Sequence, residues 1–363
     1  MPFVLSQLTG DIYRKAHEQN MTLSMYLETL DPSPEGSKLD AFERLLKEAG
    51  IITQSILERN IFASQVDAFF RTEENKYLFP EYVARTLVQS MTEFPLYQYL
   101  VAKRTGINGG VYEAPYLDLD DPKNKKAAEM RRVTEAADLP KATLKIGATA
   151  IKLYKYGRAV GISYEAFRRM TIDLFQILIN RIGTEAANNK VAEILTVIKD
   201  GDGNNNAAPV IKQTDLGAQA GDKLSRNSLV RFLLKFYPIG GCDTVVANED
   251  GLLQILNVLY PEISAATLAD QVISQGLNIS VRMPQNLVTN FTLLYSPDIE
   301  KINGKEAIYG INKATCIEEV YELGSTIQEA DINVINQTKA VTISETSGFR
   351  KIFKDSAKIL VLD

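Results

Sequence analysis

Residues 163–203 read SYEAFRRMTIDLFQILINRIGTEAANNKVAEILTVIKDGDG. Ser163 offers a helix N-cap, and behind it Ile172, Phe175, Ile179, Ile182 and Ala186 recur at three- and four-residue intervals. Val191, Ile194, Leu195 and Ile198 continue that stripe. One apolar face along one rod follows from this spacing, and it predicts the longest helix of the chain. Lys199 sets a cation in the last turn and Gly201 stands just beyond it, which is the chemistry of a helix end.

Immediately upstream the period changes to two. From Lys141 onward Leu144, Ile146, Ala148 and Ala150 fall on one side and Ile151 and Leu153 in the other phase, predicting strands joined by a bulge or turn. Further upstream, between Gly106 and Leu139, periodicity disappears and both charge signs crowd together. Asp118, Asp120 and Asp121 are followed by Lys123, Lys125, Lys126, Arg131 and Arg132. A segment of this composition cannot build its own core, and loops this long are functional or disordered, so this one is expected to reach outward to a partner. The three aspartates could serve a metal or acid–base chemistry. Acid runs beside basic runs more often make intersubunit or solvated ion pairs, and intersubunit contact is the expectation here.

From Phe3 to about Phe70 the pattern is helical, with Leu5, Leu8 and Ile12 in one stretch and Phe42, Leu45, Leu46 and Ala49 in another. Asp31-Pro32-Ser33-Pro34-Glu35-Gly36 divides them, because each proline disfavours helix at the residue before it. Arg71 to Lys76 reads as a polar break, so residues 1–76 are expected to form a separate helical region. A short helix follows from Phe79 to Val88, with Pro80 in its first turn. Beyond the long helix, Leu229–Phe236 and Glu249–Leu259 read as helices, and Thr244–Ala247, Ile279–Arg282 and Thr292–Tyr295 as strands. Ile332–Ile335, Ala340–Glu345, Phe349–Phe353 and Lys358–Leu362 read as successive short strands. An α+β or α/β layer is implied by these mixed elements.

Composition narrows the function classes. The 363 residues suggest two or three domains, and 45% hydrophobic with 23% charged residues is ordinary for a globular chain. Forty basic against 45 acidic residues leave a net charge of −5, which argues against a grip on duplex nucleic acid through phosphate neutralisation. The first residues turn polar too soon for a secretory signal, and no apolar run has the length of a membrane span. His17 is the single histidine, and Cys242 and Cys316 stand far apart without CxxC spacing. Histidine- or cysteine-rich metal sites are excluded, and any histidine-based catalytic triad or dyad would depend on His17.

Three local motifs have bland readings beside sharper ones. Asp200-Gly201-Asp202-Gly203-Asn204-Asn205-Asn206 begins like a calcium loop, but Asn205 occupies the glycine place and Ile211 the bidentate-glutamate place, so a polar helix-stop turn is expected. Tyr154-Lys155-Tyr156-Gly157-Arg158 alternates rings and cations as a nucleic-acid reader does, and equally as a half-exposed strand does; the strand is favoured. Gly240-Gly241-Cys242 reads as a turn ahead of a strand. No phosphate-binding glycine loop or nucleophile elbow occurs.

Val133-Thr134-Glu135-Ala136-Ala137-Asp138-Leu139-Pro140-Lys141 with Leu144-Lys145-Ile146, Arg158-Ala159-Val160-Gly161-Ile162-Ser163-Tyr164-Glu165, Val245-Val246-Ala247-Asn248-Glu249-Asp250, and the terminal Val341-Thr342-Ile343-Ser344-Glu345-Thr346 with Phe349 to Leu360 follow one another in a telling order. Over roughly residues 79–363 this order resembles the major capsid proteins of tailed bacteriophages, those of the Hong Kong 97 fold. The resemblance implies an α+β capsid fold with a long spine helix, an extended β-hairpin loop, a mixed axial domain and an added N-terminal helical region. It implies an N-terminal region over 1–76, scaffold-like or permanent, an arm over 77–108 and an extended loop over 109–160. A peripheral domain would take 161–223 and 327–363, and an axial domain 224–326. The family often carries a cleavable scaffolding segment where residues 1–76 stand. Some relatives join a loop lysine to a neighbour's asparagine; Lys123, Lys125, Lys126 and Lys141 are eligible, and the sequence selects none.

The resemblance further implies a non-enzymatic shell subunit without cofactor or metal. It would assemble through its own copies into hexamers and pentamers of an icosahedral head in the host cytoplasm. That head would enclose double-stranded DNA without sequence-specific binding and become the virion capsid, with portal, scaffold or decoration proteins as candidate partners and no membrane. Asp118, Asp120, Asp121, Lys123, Lys125, Lys126, Arg131 and Arg132 would be its loop contacts. An encapsulin-like protein compartment shares the fold and is the first alternative. A soluble metal-dependent enzyme using the acidic loop is the alternative from another class.

Overall fold

A computed structural model describes residues 3–19, 21–34, 36–53, 64–92, 94–109, 111–116, 132, 145–146, 149–259, 279–281, 291–323, 327–333 and 338–362. Its helices are α1 (Gly10–Glu18), α2 (Leu23–Leu30), α3 (Ala41–Glu48), α4 (Glu73–Lys76), α5 (Leu78–Thr92), α6 (Pro95–Leu100), α7 (Tyr164–Arg169), α8 (Ile172–Asp200), α9 (Arg226–Leu234) and α10 (Glu249–Leu259). Its strands are β1 (Val101–Ile107), β2 (Val111–Tyr112), β3 (Pro115–Tyr116), β4 (Lys145–Ile146), β5 (Ile151–Lys152), β6 (Tyr154–Ser163), β7 (Val210–Lys212), β8 (Thr244–Ala247), β9 (Ile279–Val281), β10 (Phe291–Tyr295), β11 (Ala307–Ile311), β12 (Ile317–Glu322), β13 (Ile327–Asn333), β14 (Thr338–Lys351) and β15 (Ala357–Val361).

Side chains set the ends of the N-terminal helices. The Thr22 hydroxyl accepts from Met25 N at the start of α2. Asp40 accepts from Glu43 N at 2.8 Å while Glu43 accepts from Asp40 N, a reciprocal capping box. The residues expected as a polar break instead make α4, because Thr72 caps it and buried Asn75 donates its Nδ2 to Ala68 O at 3.0 Å. Leu8, Ile12, Phe42, Leu45 and Leu46 are buried as expected. Their core is continuous with Phe79, Tyr82 and Val83 of α5 and with Ile172, Phe175 and Ile179 of α8. Phe79 stacks on Phe175 with ring centroids 5.6 Å apart.

The helical stretch expected from Ser163 folds as two helices, and the whole apolar stripe falls in the second. Ser163 caps the short α7, Met170 is extended, and Thr171 caps α8, which runs as one rod to Asp200. α5 lies parallel to α8: Phe79 meets Phe175 near the start, and Ser90 Oγ donates to Asn180 O further along. At the crossing only a glycine fits. A Cβ on Gly183 would stand 2.8 Å from Ser90 Cβ and 3.2 Å from Leu87 O. At this level Ile182 and Ala186 are only half-buried, and Gly183, Ala187 and Lys190 take the buried face. The stripe shifts because α8 leaves one core here and enters a second, where Val191, Ile194, Leu195 and Ile198 pack.

Two main sheets flank the second half of α8. In the first, β14 is a single strand rather than the two short ones expected, because it is paired along its length. Residues 338–347 pair with β6 on one side, and β13 followed by β12 pair along the other; β1 then adds parallel to β12. The second sheet has the order β7-β15-β11-β8-β10-β9. Both its faces are covered. Val246, Tyr309 and Ile359 point toward α8, and Val245, Ile308 and Leu360 toward α9 and α10, so these strands read as unbroken apolar runs. The α+β expectation holds. Ala357–Val361 pairs in this second sheet and Ile317–Glu322 in the first, so sheet membership crosses the expected boundaries at 223/224 and 326/327.

Candidate functional site

Asp118, Asp120, Asp121, Lys123, Lys125, Lys126 and Arg131 lie outside the described residues; Arg132 is described and exposed. The root of their loop is well defined. Val111 and Tyr112 pair with Lys152 and Ile151, and Pro115 and Tyr116 pair with Ile146 and Lys145, so two short antiparallel ladders bring the chain out and back side by side. Close approach to β14 fixes this root to the sheet. A Cβ on Gly348 would stand 2.6 Å from Lys152 O, which is why no larger residue serves there.

The turn after α8 holds the returning strand. Thr149 N donates to Asn204 Oδ1 at 3.0 Å, Asn204 Nδ2 donates to Thr149 O at 3.1 Å, and the Thr149 hydroxyl donates to Gly203 O at 3.2 Å. On its other side the turn grips the sheet. Lys351 N donates to Asp202 Oδ2 at 3.1 Å, and Asn206 Nδ2 donates to Lys351 O at 2.9 Å. Asp202 Oδ1 also accepts from Asn204 N. Side-chain oxygens of Asp202, Asn204 and Asn206 thus accept from the chain's own amides, as a polar turn requires, while Asp200 lies beside Lys199. Sequence reasoning found the turn but not its partners, which come from 55 and 149 residues away. Burial pushes the Lys351 amine down to about 8; its Nζ donates to Lys354 O at 2.8 Å.

The first sheet keeps separate ion-pair networks on its two faces, since Glu318 and Glu319 are consecutive in β12 and must point oppositely. On one face Glu318 accepts from Arg350 Nε at 2.5 Å and from the Thr105 hydroxyl. Arg350 also donates from Nη1 to Pro115 O at 3.1 Å and lies over the Tyr112 ring, so this face carries the loop root. The other face meets α8. Glu319, with no exposed surface, accepts from Lys190 Nζ at 2.8 Å and from Arg104 Nε at 2.9 Å, with the Tyr97 hydroxyl as a third donor. Glu345 completes the group with Lys190 at 3.1 Å and with Arg104. Burial acts to raise the Glu319 pKa, but the two cations outweigh it and hold the carboxyl below its ordinary value. Sequence reasoning missed this network, because its members come from α6, β1, α8, β12 and β14 and no spacing joins them.

The remaining candidates lie apart from this network or at its edge. Tyr154 to Arg158 lie in β6 paired to β14, with the Tyr156 hydroxyl on Glu193 of α8. His17 is exposed on α1. Both thiols are buried, and burial pushes Cys242 up to about 12 and Cys316 up to about 11. Among the described residues no three His, Cys, Asp or Glu side chains converge as a metal site, and no helix is long and apolar enough to cross a membrane. Apolar surface is exposed instead: Leu174, Ile177 and Leu178 share the outer side of the first turns of α8, with Ile177 63% exposed.

Comparisons with known proteins bear on this arrangement. No curated protein matches the sequence. Among solved structures the chain is similar to the capsid of an empty GTA particle, at 13% identity over 72% of this chain and 88% of that one, with a TM-score of 0.49. It is similar to the procapsid of satellite phage P4, at 11% identity over 80% and 98% and a TM-score of 0.48. It is also similar to the SrpI encapsulin complex of Synechococcus elongatus PCC 7942, at 11% identity over 74% and 88% and a TM-score of 0.45. The phage capsid protein family matches residues 147–347, a span that holds the return strand of the loop, α8, and the strands of both main sheets apart from β1, β15 and the end of β14. More than half of the chain lies in that span, and the chain belongs to the phage capsid protein family.

Proposed function

We propose that this capsid protein is the major shell subunit of a phage head, assembling through its own copies into hexamers and pentamers around double-stranded DNA. The observation that carries the reading is the rigid root of the charged loop. Two ladders, the Gly348 approach and the Thr149–Asn204 bonds hold Val111–Tyr116 beside Lys145–Ile146 and Ile151–Lys152, which supports reading the charged segment between them as an arm toward a neighbour. Ring-forming subunits need two different surfaces that meet head to tail, and a directed arm supplies one of them. The exposed Leu174, Ile177 and Leu178 add apolar area of the kind that marks interaction sites. Exposed ion pairs contribute about 0–1 kcal/mol each, so a loop of mixed charge gives contacts that are reversible singly and sufficient when repeated over a shell. A subunit near charge balance also leaves packaged DNA free to move.

The test is a variant with Asp118, Asp120 and Asp121 all changed to lysine. Its circular dichroism should match the parent, and electron microscopy should find no closed shells. Normal particles from this variant would refute the loop's assembly role, and particles filled with protein in place of DNA would favour an encapsulin-like compartment.

A further inference from the structure

Between the α1–α2 corner, α5 and the first sheet lies a cleft of about 1590 Å³. Met21 and Met25 stand at its N-terminal rim, 38% and 61% exposed. Behind them, in the same cleft, Glu81 of α5 is 1% exposed. Its Oε1 accepts from Ser24 N at 3.0 Å and from the Ser24 hydroxyl, but Oε2 is buried and has no hydrogen-bond partner among the described residues. Arg85, which also lines the cleft, follows one turn later on the same side of α5. Its Nη2 pairs with Asp40 Oδ2 at 2.6 Å and its guanidinium lies 5.2 Å from the centre of the Phe42 ring, while Nη1 is likewise buried and unpartnered among the described residues. Ser24 holds one side chain and Asp40 with Phe42 the other, so a fixed acceptor and a fixed donor face the cleft together. A buried polar atom left unpaired costs about 1–3 kcal/mol, and more when it is charged. An arrangement that weakens the fold in this way is the mark of a binding site rather than of a packing device.

We infer that the deep end of this cleft binds the side-chain carboxamide of a glutamine or asparagine, presented by a peptide segment of a partner protein. The amide nitrogen donates to Glu81 Oε2 and the amide oxygen accepts from Arg85 Nη1, so one neutral group satisfies both atoms. The other polar side chains fit less well. A carboxylate would meet the like charge of Glu81, and an ammonium or guanidinium would meet that of Arg85. A serine or threonine hydroxyl stands one carbon from its backbone and falls short of a group lying behind the methionine rim. The size of the cleft points to a polypeptide rather than a free small molecule, since pockets for small ligands run to about 300–1,000 Å³. Beyond the Glu81–Arg85 end it continues to Lys155 and Glu322 on the sheet, which leaves room for the residues on either side of the bound amide. Met21, Met25 and Val88 give those neighbours an adaptable apolar surface. The inference goes beyond the shell reading and does not depend on it, because the site lies wholly within one copy of the chain.

The experiment selects a yeast-displayed library of random heptapeptides against the full chain, then measures the selected peptides, made synthetically, against the parent and two variants. Glu81→Gln keeps an acceptor for Ser24 and turns the free acceptor into a donor; Arg85→Lys keeps the charge beside Asp40 and removes the free guanidinium N–H. Circular dichroism confirms that both variants fold as the parent does. The expected peptides share a glutamine or asparagine at one position with apolar neighbours. Replacing that residue by glutamate should weaken binding about tenfold or more, and each protein variant should do the same, as loss of a hydrogen bond in a buried site does. Met21→Lys at the rim should also weaken it. Selected peptides that carry serine or threonine there, or share no residue, overturn the assignment, as does equal affinity for the parent and Glu81→Gln. Failure to select any peptide sensitive to Glu81 overturns it as well and leaves a bound water as the partner of the two atoms. Whether the chain forms closed shells is read separately by electron microscopy, so failure of this inference and failure of the shell reading are told apart.

Discussion

Lys190 Nζ lies 2.8 Å from Glu319 Oε1, and these two side chains are 5% and 0% exposed. The pair joins the middle of α8 to β12, at the level where the helix passes from the N-terminal core to the sheet core. An ion pair so buried is not by itself a stabilising device, since desolvation opposes the Coulomb attraction. It becomes indispensable once its members are in place, because removal of one strands the others.

Lys190→Met is accordingly expected to destabilise the subunit by about 3 kcal/mol, the loss that follows removal of one member of a buried pair. Arg104 remains beside Glu319 and keeps the effect toward the lower end of the usual range. Urea denaturation measures it; a loss below about 1 kcal/mol would mean that Arg104 alone neutralises the carboxylates.

Glu81 gives a pH dependence. Burial raises its pKa above the ordinary carboxylate value, with hydrogen bonds from the Ser24 hydroxyl and Ser24 N opposing the rise. A folded-state pKa above the unfolded one means that stability from this group is complete below the unfolded value and is lost as pH rises through the folded one. Glu81→Gln keeps an acceptor for Ser24 and removes the buried charge. The variant should be as stable as the parent near pH 4 and more stable at pH 7, the gap opening as the parent's carboxyl is forced to ionise in its buried position. Thermal melts at the two pH values decide it, and a less stable variant at pH 7 contradicts the account.

Asn204→Ala removes both bonds to Thr149. The expected global loss is only about 1–2 kcal/mol, in keeping with ordinary hydrogen bonds, but the loop root should open locally. Limited trypsin digestion should cut faster at Lys145 and Lys152, while Asn204→Asp, which keeps the acceptor for Thr149 N, should fall between the two. Equal cleavage of parent and alanine variant would show that the strand ladders alone hold the root.

Deletion of residues 1–76 is expected to unfold or aggregate the remainder. It would uncover Phe79, Val83, Phe175 and Ile179, all buried against the N-terminal helices, and each large buried side chain is worth about 1.5–3 kcal/mol. A soluble, cooperatively melting fragment 77–363 would show instead that α5 and α8 can cover this surface by themselves.

Period and capping chemistry made much of the framework legible. The spacing from Ile172 to Ile198 and the cation and glycine at its end marked α8 closely at its C-terminus, and of the apolar positions read in the N-terminal stretches Leu8, Ile12, Phe42, Leu45 and Leu46 are buried while Leu5 and Ala49 are half-buried. The start of α8 was less legible, because Ser163 and Thr171 are both competent caps and only the extended Met170 between them separates two helices. Arg71 to Lys76 misled for a related reason. A polar stretch is a linker or a capped turn depending on whether a buried acceptor such as Ala68 O awaits Asn75.

What the sequence determined by itself is local: which residues turn inward on each helix, where charge concentrates, that Asp200 to Asn206 makes a polar turn, and that catalytic residue types are scarce. These follow from periodicity and side-chain chemistry within a few residues. Tertiary structure alone decided that Glu318 and Glu319 serve opposite faces, that the polar turn clasps Thr149 and Lys351, and that the final strand Ala357–Val361 joins the second sheet. Such choices depend on register and on partners up to 241 residues apart, and a side chain's own neighbourhood in sequence carries no record of them.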